Sequence, residues 1–119
     1  MSLRCLIVDD SPSVLAVVRG LLEREGIVIV ATAQSIAEAL EAAAQHRPDV
    51  ALVDIDLGGE SGFELTRRLA PDITVILIST HAERDFADLI EASAAIGFIP
   101  KSELSAAAVR EILNAPRDT

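Results

Sequence analysis

Acidic side chains follow two apolar runs of this 119-residue chain, at the point where each run ends. Asp9 and Asp10 come directly after the run at residues 6–8, whereas Asp54 ends the run VALVD and Asp56 lies two residues later. If the two runs are neighbouring strands, their carboxylates converge, and a pair about 5 Å apart repels by roughly 3 kcal/mol at an effective dielectric of about 20. A cluster of this kind favours a hard divalent cation with oxygen ligands, and Mg²⁺ is the cation that we expect.

A hydroxyl and an ammonium group follow two later apolar runs. Ser79 ends the run TVILIS and is followed by Thr80, so either residue could supply the hydroxyl. Lys101 comes directly after the short run GFIP. Taken alone, Lys101 is typical of a surface lysine. Both positions lie at the end of a predicted strand: Ser79 is the last residue of one strand, and Lys101 directly follows another.

Helical patterns alternate with the apolar runs along the whole chain. Ser11 and Pro12 are typical of a helix start, Ser35 with Glu38 forms a capping-box pattern, and Gly26 is typical of a helix end. We predict strands at 4–8, 27–31, 50–54, 74–79 and 97–100, and helices at 11–26, 35–46, 62–70, 83–95 and 104–114. Five β-α units predict an α/β fold with a doubly wound parallel sheet, in which all strands end at the same edge.

Composition excludes several classes of function. The net charge of −9, from 19 acidic and 10 basic residues, disfavours direct binding to nucleic acid or to an anionic membrane surface. A single cysteine, Cys5, excludes an internal disulfide. Because we find no long apolar stretch and no signal peptide, we expect a cytoplasmic protein. The length favours one domain over residues 1–119, with a polar tail at 114–119.

The order of four motifs is specific enough to suggest a family. The acid pair in VDDSP, the strand-ending acid in ALVDID, the hydroxyl in VILIST and the lysine in GFIPK each stand at a predicted strand end. In this order the chain resembles a response-regulator receiver domain of two-component signalling over nearly its whole length. The resemblance implies a flavodoxin-like (βα)5 sandwich of three layers. Its five-stranded parallel sheet would have the strand order 2-1-3-4-5.

The resemblance also implies a role for each residue at the strand ends. Asp54 would accept a phosphoryl group, Ser79 would hydrogen-bond that group, and Lys101 would form an ion pair with it. Thr80 remains the alternative to Ser79. These roles agree with the requirements of phosphoryl transfer, which needs an in-line nucleophile and positive charge near the phosphoryl oxygens. The resemblance assigns Mg²⁺ to the following ligands: Asp9, Asp10, Asp54 and the backbone carbonyl of Asp56.

Partners follow from the same resemblance. A sensor histidine kinase or a phosphotransfer protein would donate the phosphoryl group, and the chain would catalyse only its own phosphorylation and dephosphorylation. Phe98 stands where receivers carry a switch aromatic. The output surface is expected at residues 84–112, where a homodimer could form. The apolar residues expected on this surface are Leu89, Ile90, Leu104 and Val109.

Two alternative functions are also compatible with the sequence. The sequence DID, from Asp54 to Asp56, resembles the nucleophile pair of haloacid-dehalogenase-type phosphatases, although in those enzymes the pair lies on the first strand. The chain could also be a receiver-like interaction module that is never phosphorylated.

One departure from the receiver pattern concerns the loop after Asp54, where Gly58 replaces a usual proline and predicts a more flexible loop.

Overall fold

The computed structural model describes residues 2–115, so the end of the predicted polar tail, at 116–119, lies outside the described residues. Strands and helices alternate along this part of the chain. Their bounds are β1 Arg4–Val8, α1 Pro12–Arg24, β2 Val28–Ala33, α2 Ile36–His46, β3 Val50–Asp54, α3 Gly62–Leu69, β4 Thr74–Ser79, α4 Ala87–Ala92, β5 Gly97–Pro100 and α5 Ala106–Asn114. Short 3₁₀ turns cover Glu83–Asp85 and Lys101–Glu103.

The five strands form one parallel sheet in the order β2-β1-β3-β4-β5. This order confirms the predicted flavodoxin-like topology. Val8 pairs with Val53, and Asp54 pairs with Ile78, so β1, β3 and β4 end level with one another. The carboxyl edge of the central strands therefore carries the residues that the sequence singles out.

Aliphatic side chains form a core layer on each face of the sheet, because successive side chains of a buried parallel strand point to opposite faces. On one face Ile7 and Leu52 pack with buried residues of α1 and α5. On the other face Leu6 and Val53 pack with buried residues of α2 and α3. Both faces of β1 and β3 are thus covered, which holds the ends of these strands in fixed positions.

Serine hydroxyls start most of the helices. Ser11 accepts a hydrogen bond from Val14 N and precedes Pro12 at the first helical position, as the sequence predicts. Ser35 and Ser105 cap α2 and α5 in the same way. These caps satisfy amide groups that a helix start leaves without an intrahelical partner.

Two predicted elements, the second strand and the fourth helix, differ from the observed ones at both ends. The second strand was expected at 27–31, but β2 runs from Val28 to Ala33. Ile27 N donates to Leu22 O at the end of α1, while Ala33 pairs with Val8 of β1, so contacts outside the strand set both of its ends. The fourth helix was expected at 83–95, but α4 is confined to Ala87–Ala92. Phe86 provides no side-chain cap there, and Ser93 is already extended.

The predicted surface at 84–112 also needs correction. Leu104 and Val109 were expected on it, but both are buried in the core layer beneath α5. Leu89 is 56% exposed, whereas Ile90 is partly buried against the opposite core layer.

Among residues 2–115 no helix has both the length and the apolar character that crossing a bilayer requires.

Candidate functional site

Three carboxylates meet at the carboxyl edge of the sheet. Asp9, just after β1, and Asp54, the last residue of β3, are buried, whereas Asp10 is exposed. One carboxylate oxygen of each residue lies within 4.8 Å of the other two. The prediction that the acids at the ends of β1 and β3 converge is therefore confirmed for these three residues.

Lys101 reaches this cluster from the end of β5. Its Nζ lies 2.9 Å from Oδ2 of Asp54, to which it donates a hydrogen bond, and 2.6 Å from Oδ2 of Asp9. Oδ1 of Asp9 accepts a hydrogen bond from Ser11 N at 2.9 Å. Oδ2 of Asp9 is buried, and the contact with Nζ is an ion pair without hydrogen-bond alignment. One ammonium group thus serves two buried carboxylates.

The pKa values of the site show this imbalance. Burial raises the pKa of Asp54, and the hydrogen bonds from Lys101 and from Asp56 N only partly offset the increase. Burial alone would lower the pKa of Lys101, but its close contacts with the Asp9 and Asp54 carboxylates and their negative charges outweigh burial, so its pKa is raised. Lys101 therefore stays protonated, and three carboxylates face a single positive charge.

Ser79 is the better placed of the two candidate hydroxyls. It is buried at the end of β4, whereas Thr80 is exposed. Both residues line the same open cleft of about 630 Å³ as Asp54 and Lys101. Oγ of Ser79 accepts a hydrogen bond from His81 N at 2.9 Å, which leaves the hydroxyl proton available to a ligand.

The loop after Asp54 is held by its own hydrogen bonds. Asp56 N donates to Oδ1 of Asp54 at 3.2 Å, and Oδ1 of Asp56 accepts from Gly58 N at 3.1 Å. The exposed Asp56 carboxylate is not one of the three that converge. A phosphatase that uses Asp54 and Asp56 as a carboxylate pair is therefore not favoured. Asp56 is a predicted metal ligand through its backbone carbonyl and not through its side chain.

Gly58 has a role that the sequence did not reveal. Its φ is +65°, and a Cβ at this position would lie 2.7 Å from Oδ2 of Asp10. The bare backbone of the loop therefore lies directly against one of the three carboxylates. The sequence predicts a more flexible loop at Gly58, but the positive φ and the close approach to Asp10 both favour glycine at this position.

Aromatic side chains at the mouth of the cleft were also missed. Phe63 and Phe86 line the cleft together with His81. The available signal was the scarcity of aromatic residues, since the chain contains three Phe and neither Trp nor Tyr. Phe98, expected at a switch position, is 9% exposed and packs in the core layer that contains Leu77.

The geometry fits a small hard cation. The donor set consists of oxygens, two of the three carboxylates are buried, and the buried Oδ2 of Asp9 has no well-aligned hydrogen bond. Lys101 offsets one of three negative charges, and the remaining repulsion is about 3 kcal/mol for each close carboxylate pair. Both a divalent cation and a phosphoryl group held by Lys101 and Ser79 are compatible with this arrangement.

Comparison with known proteins identifies the family that the order of the four sequence motifs indicates. The family model described as the response regulator receiver domain matches residues 5–114. The response regulator GacA of Pseudomonas viridiflava is 34% identical over 103 residues, which cover 83% of this chain and 48% of that protein. PilH of Pseudomonas aeruginosa is 38% identical over 82 residues, which cover 65% of this chain and 67% of PilH.

Solved structures of receiver domains share the fold. The signal receiver domain of NarL from Mycobacterium tuberculosis superposes with a TM-score of 0.82 at 27% identity and covers 96% of this chain and 98% of that domain. A LuxR-family response regulator from Aurantimonas superposes with a TM-score of 0.83 at 30% identity, covering 95% of this chain and 84% of that structure. The chain spans about half the length of the first curated relatives that it matches.

Proposed function

Because the chain belongs to the response regulator receiver domain family of two-component signalling, we propose that Asp54 is its phosphoacceptor. The observation that carries this proposal is the convergence of Asp9, Asp10 and Asp54 around the Lys101 ammonium at the end of β3. All three acids line the open cleft, and Asp54 is the one that is the last residue of a central strand and accepts a hydrogen bond from Lys101.

The protein groups supply most of what the transfer requires. An oxygen of Asp54 forms a bond to phosphorus as the bond between phosphorus and the donor breaks. Lys101, already 2.9 Å from Oδ2 of Asp54, offsets part of the negative charge of the incoming phosphoryl group. The Ser79 hydroxyl, which accepts from His81 N, can donate its proton to a phosphoryl oxygen.

We propose Mg²⁺ as the cofactor of this site. The residues that would hold it are Asp9, Asp10, Asp54 and the backbone carbonyl of Asp56. When bound, the ion supplies the positive charge that Lys101 alone does not provide, and it lowers the repulsion that phosphorylation increases. Asp9, which is paired with Lys101 at 2.6 Å, would act on the ion mostly through water.

Phosphate uptake by the intact protein tests this proposal. Wild-type protein incubated with acetyl phosphate and Mg²⁺ should gain the mass of one phosphoryl group, and Asp54→Asn should gain none. Asp56→Asn is the matched control, since the Asp56 side chain lies outside the acid cluster, and it should still take up phosphate. Equal uptake by wild type and Asp54→Asn would reject Asp54 as the phosphoacceptor.

We also propose that a sensor histidine kinase or a phosphotransfer protein is the donor in the cytoplasm. Residues 1–119 would act as a single receiver domain that catalyses only its own phosphorylation and dephosphorylation. The output surface would include the exposed Leu89 within 84–112 and could form a homodimer. Sedimentation with and without a beryllofluoride phosphoryl mimic tests the dimer. An unchanged mass, together with unchanged amide exchange over 84–112, would reject this surface.

A further inference from the structure

Two of the three aromatic residues of this chain lie at the mouth of the acidic cleft. Phe63, in the first turn of α3, and Phe86, in the segment between β4 and α4, are partly exposed and line the cleft. The third, Phe98, is buried in the core. Phe63 and Phe86 also pack against the core layer that contains Leu6 and Val53, but part of each side chain stays exposed in the cleft.

The rings form a continuous row. The centroid of Phe86 lies 5.7 Å from the ring of His81, with an angle of 73° between the ring planes. The same centroid lies 6.4 Å from the ring of Phe63, with an angle of 52°. Both separations fall within the range in which aromatic rings attract each other. The row connects the loop after β4 to α3 and forms an apolar wall in the cleft that contains Asp54.

We infer that this wall of Phe63, His81 and Phe86 contacts the leaving group of the phosphoryl donor and favours a planar heteroaromatic ring there. The inference rests on the proposed function of Asp54. In an in-line transfer the leaving group lies on the side of phosphorus opposite to the attacking oxygen, which is toward the mouth of the cleft. An imidazole ring can pack on or against the aromatic wall, whereas acetate offers one methyl group and a charged carboxylate.

Two small phosphoryl donors, monophosphoimidazole and acetyl phosphate, would react with Asp54 in the same way and differ in the leaving group. With monophosphoimidazole, an oxygen of Asp54 forms the bond to phosphorus as the P–N bond breaks. The imidazole leaves with the electron pair of that bond and takes a proton from water. With acetyl phosphate, the same P–O bond forms while the P–O bond to the acetyl group breaks and acetate leaves. Acetyl phosphate therefore reports the reactivity of Asp54 without an aromatic leaving group.

The experiment measures the second-order rate constants for phosphorylation of the full chain by these two donors, in Mg²⁺, from intact-mass time courses. Phe86→Leu should lower the rate with monophosphoimidazole about three- to tenfold, which is the range expected for one aromatic contact, and should change the acetyl phosphate rate less than about twofold. Phe63→Leu should act in the same direction. Phe98→Leu, an identical substitution in the core, should leave the ratio of the two rates unchanged.

The outcomes separate this inference from the proposed function. An equal fall with both donors in Phe86→Leu and Phe63→Leu would overturn the inference, because the rings would then only support the site. Unchanged rates with both donors would overturn it as well. In either case, phosphate uptake that depends on Asp54 would leave the proposed function standing. A wild-type protein that takes phosphate from neither donor would overturn both.

Discussion

The middle of the sheet and its carboxyl edge are built from the same strands but have opposite energetics. In β3, Leu52 is fully buried among aliphatic side chains, and its burial stabilises the fold. Two residues later, Asp54 is almost as buried, yet it lies within 4.8 Å of two further carboxylates. The stable middle of the strand thus holds an edge at which like charges repel one another, and a bound cation can relieve this repulsion.

Two buried ionisable groups show the same contrast. Burial raises the pKa of Cys5, near the start of β1, to about 12, so this thiol stays neutral and is effectively a small apolar side chain. Burial also raises the pKa of Asp54, but Lys101 donates a hydrogen bond to it and opposes the increase. A charged counterpart close by, and not burial as such, therefore distinguishes the carboxyl edge of the sheet from its core.

Truncation of the core should have the largest effect. Leu52→Ala leaves a cavity in a layer that has little room to collapse, and we expect a loss of about 3 kcal/mol in the free energy of unfolding. Urea unfolding followed by far-ultraviolet circular dichroism measures this loss without Trp or Tyr, which the chain lacks. A loss below about 1 kcal/mol would show that the core around Leu52 can collapse into the cavity.

Removal of one negative charge at the carboxyl edge should raise the free energy of unfolding, whereas truncation of the core lowers it. Asp54→Asn lowers the repulsion among the three carboxylates and keeps an oxygen that can accept from Lys101, so we expect a gain of about 1 kcal/mol without Mg²⁺. Added Mg²⁺ should then stabilise wild type more than the variant. The same unfolding assay applies. A variant less stable than wild type in the absence of metal would show that Lys101 outweighs the repulsion.

The gain from Asp54→Asn should depend on pH. The pKa of Asp54 is raised in the folded state, so the folded protein holds this proton more tightly than the unfolded chain does. The stabilising effect of protonated Asp54 is fully present below its unfolded pKa of about 4, and it is lost as pH rises through the folded value. The difference between variant and wild type should therefore be near zero at pH 4 and largest near neutrality. A constant difference across this range would contradict the raised pKa.

Local signals in the sequence were sufficient for most of the fold. Apolar runs predicted five strands, and Ser11 with Pro12 predicted the start of α1, because both signals act within a few residues. The end of β2 could not be predicted, since Ala33 is in the strand through its pairing with Val8. The short α4 was missed because the Ala-rich composition of 83–95 favours a longer helix than its contacts allow.

The site was predictable to the extent that strand ends converge. Asp9, Asp10, Asp54 and Lys101 meet because parallel strands end at one edge, which the alternating pattern implies. The pairing of Lys101 with Asp9 was not predicted, because it depends on where β5 ends relative to β1. The position of Gly58 against Asp10 was also hidden, since two adjacent glycines indicate freedom of the backbone but not which one is in close contact.

Gly58 and Gly59 allow a test of how tightly the Asp10 carboxylate is held at the edge, and it is the test with the smallest expected effect. Gly58 and Gly59 both have positive φ values, +65° and +102°, so an alanine strains the backbone at either position. A Cβ on Gly58 would lie 2.7 Å from Oδ2 of Asp10, whereas a Cβ on Gly59 would have no atom within 4 Å. The pair therefore separates backbone strain from displacement of a carboxylate at the edge.

We expect Gly58→Ala to weaken Mg²⁺ binding about threefold, because the added methyl group moves the Asp10 carboxylate away from Asp9 and Asp54. Gly59→Ala should lose a similar amount of stability, about 1 kcal/mol from the strained φ, and should bind Mg²⁺ as wild type does. Isothermal titration calorimetry with Mg²⁺ gives the two affinities, and thermal unfolding without metal gives the strain. Equal weakening in both variants would mean that loop conformation controls the metal site. Unchanged affinity in Gly58→Ala would mean that Asp10 can move without loss, so that this part of the edge is less constrained than the core beneath it.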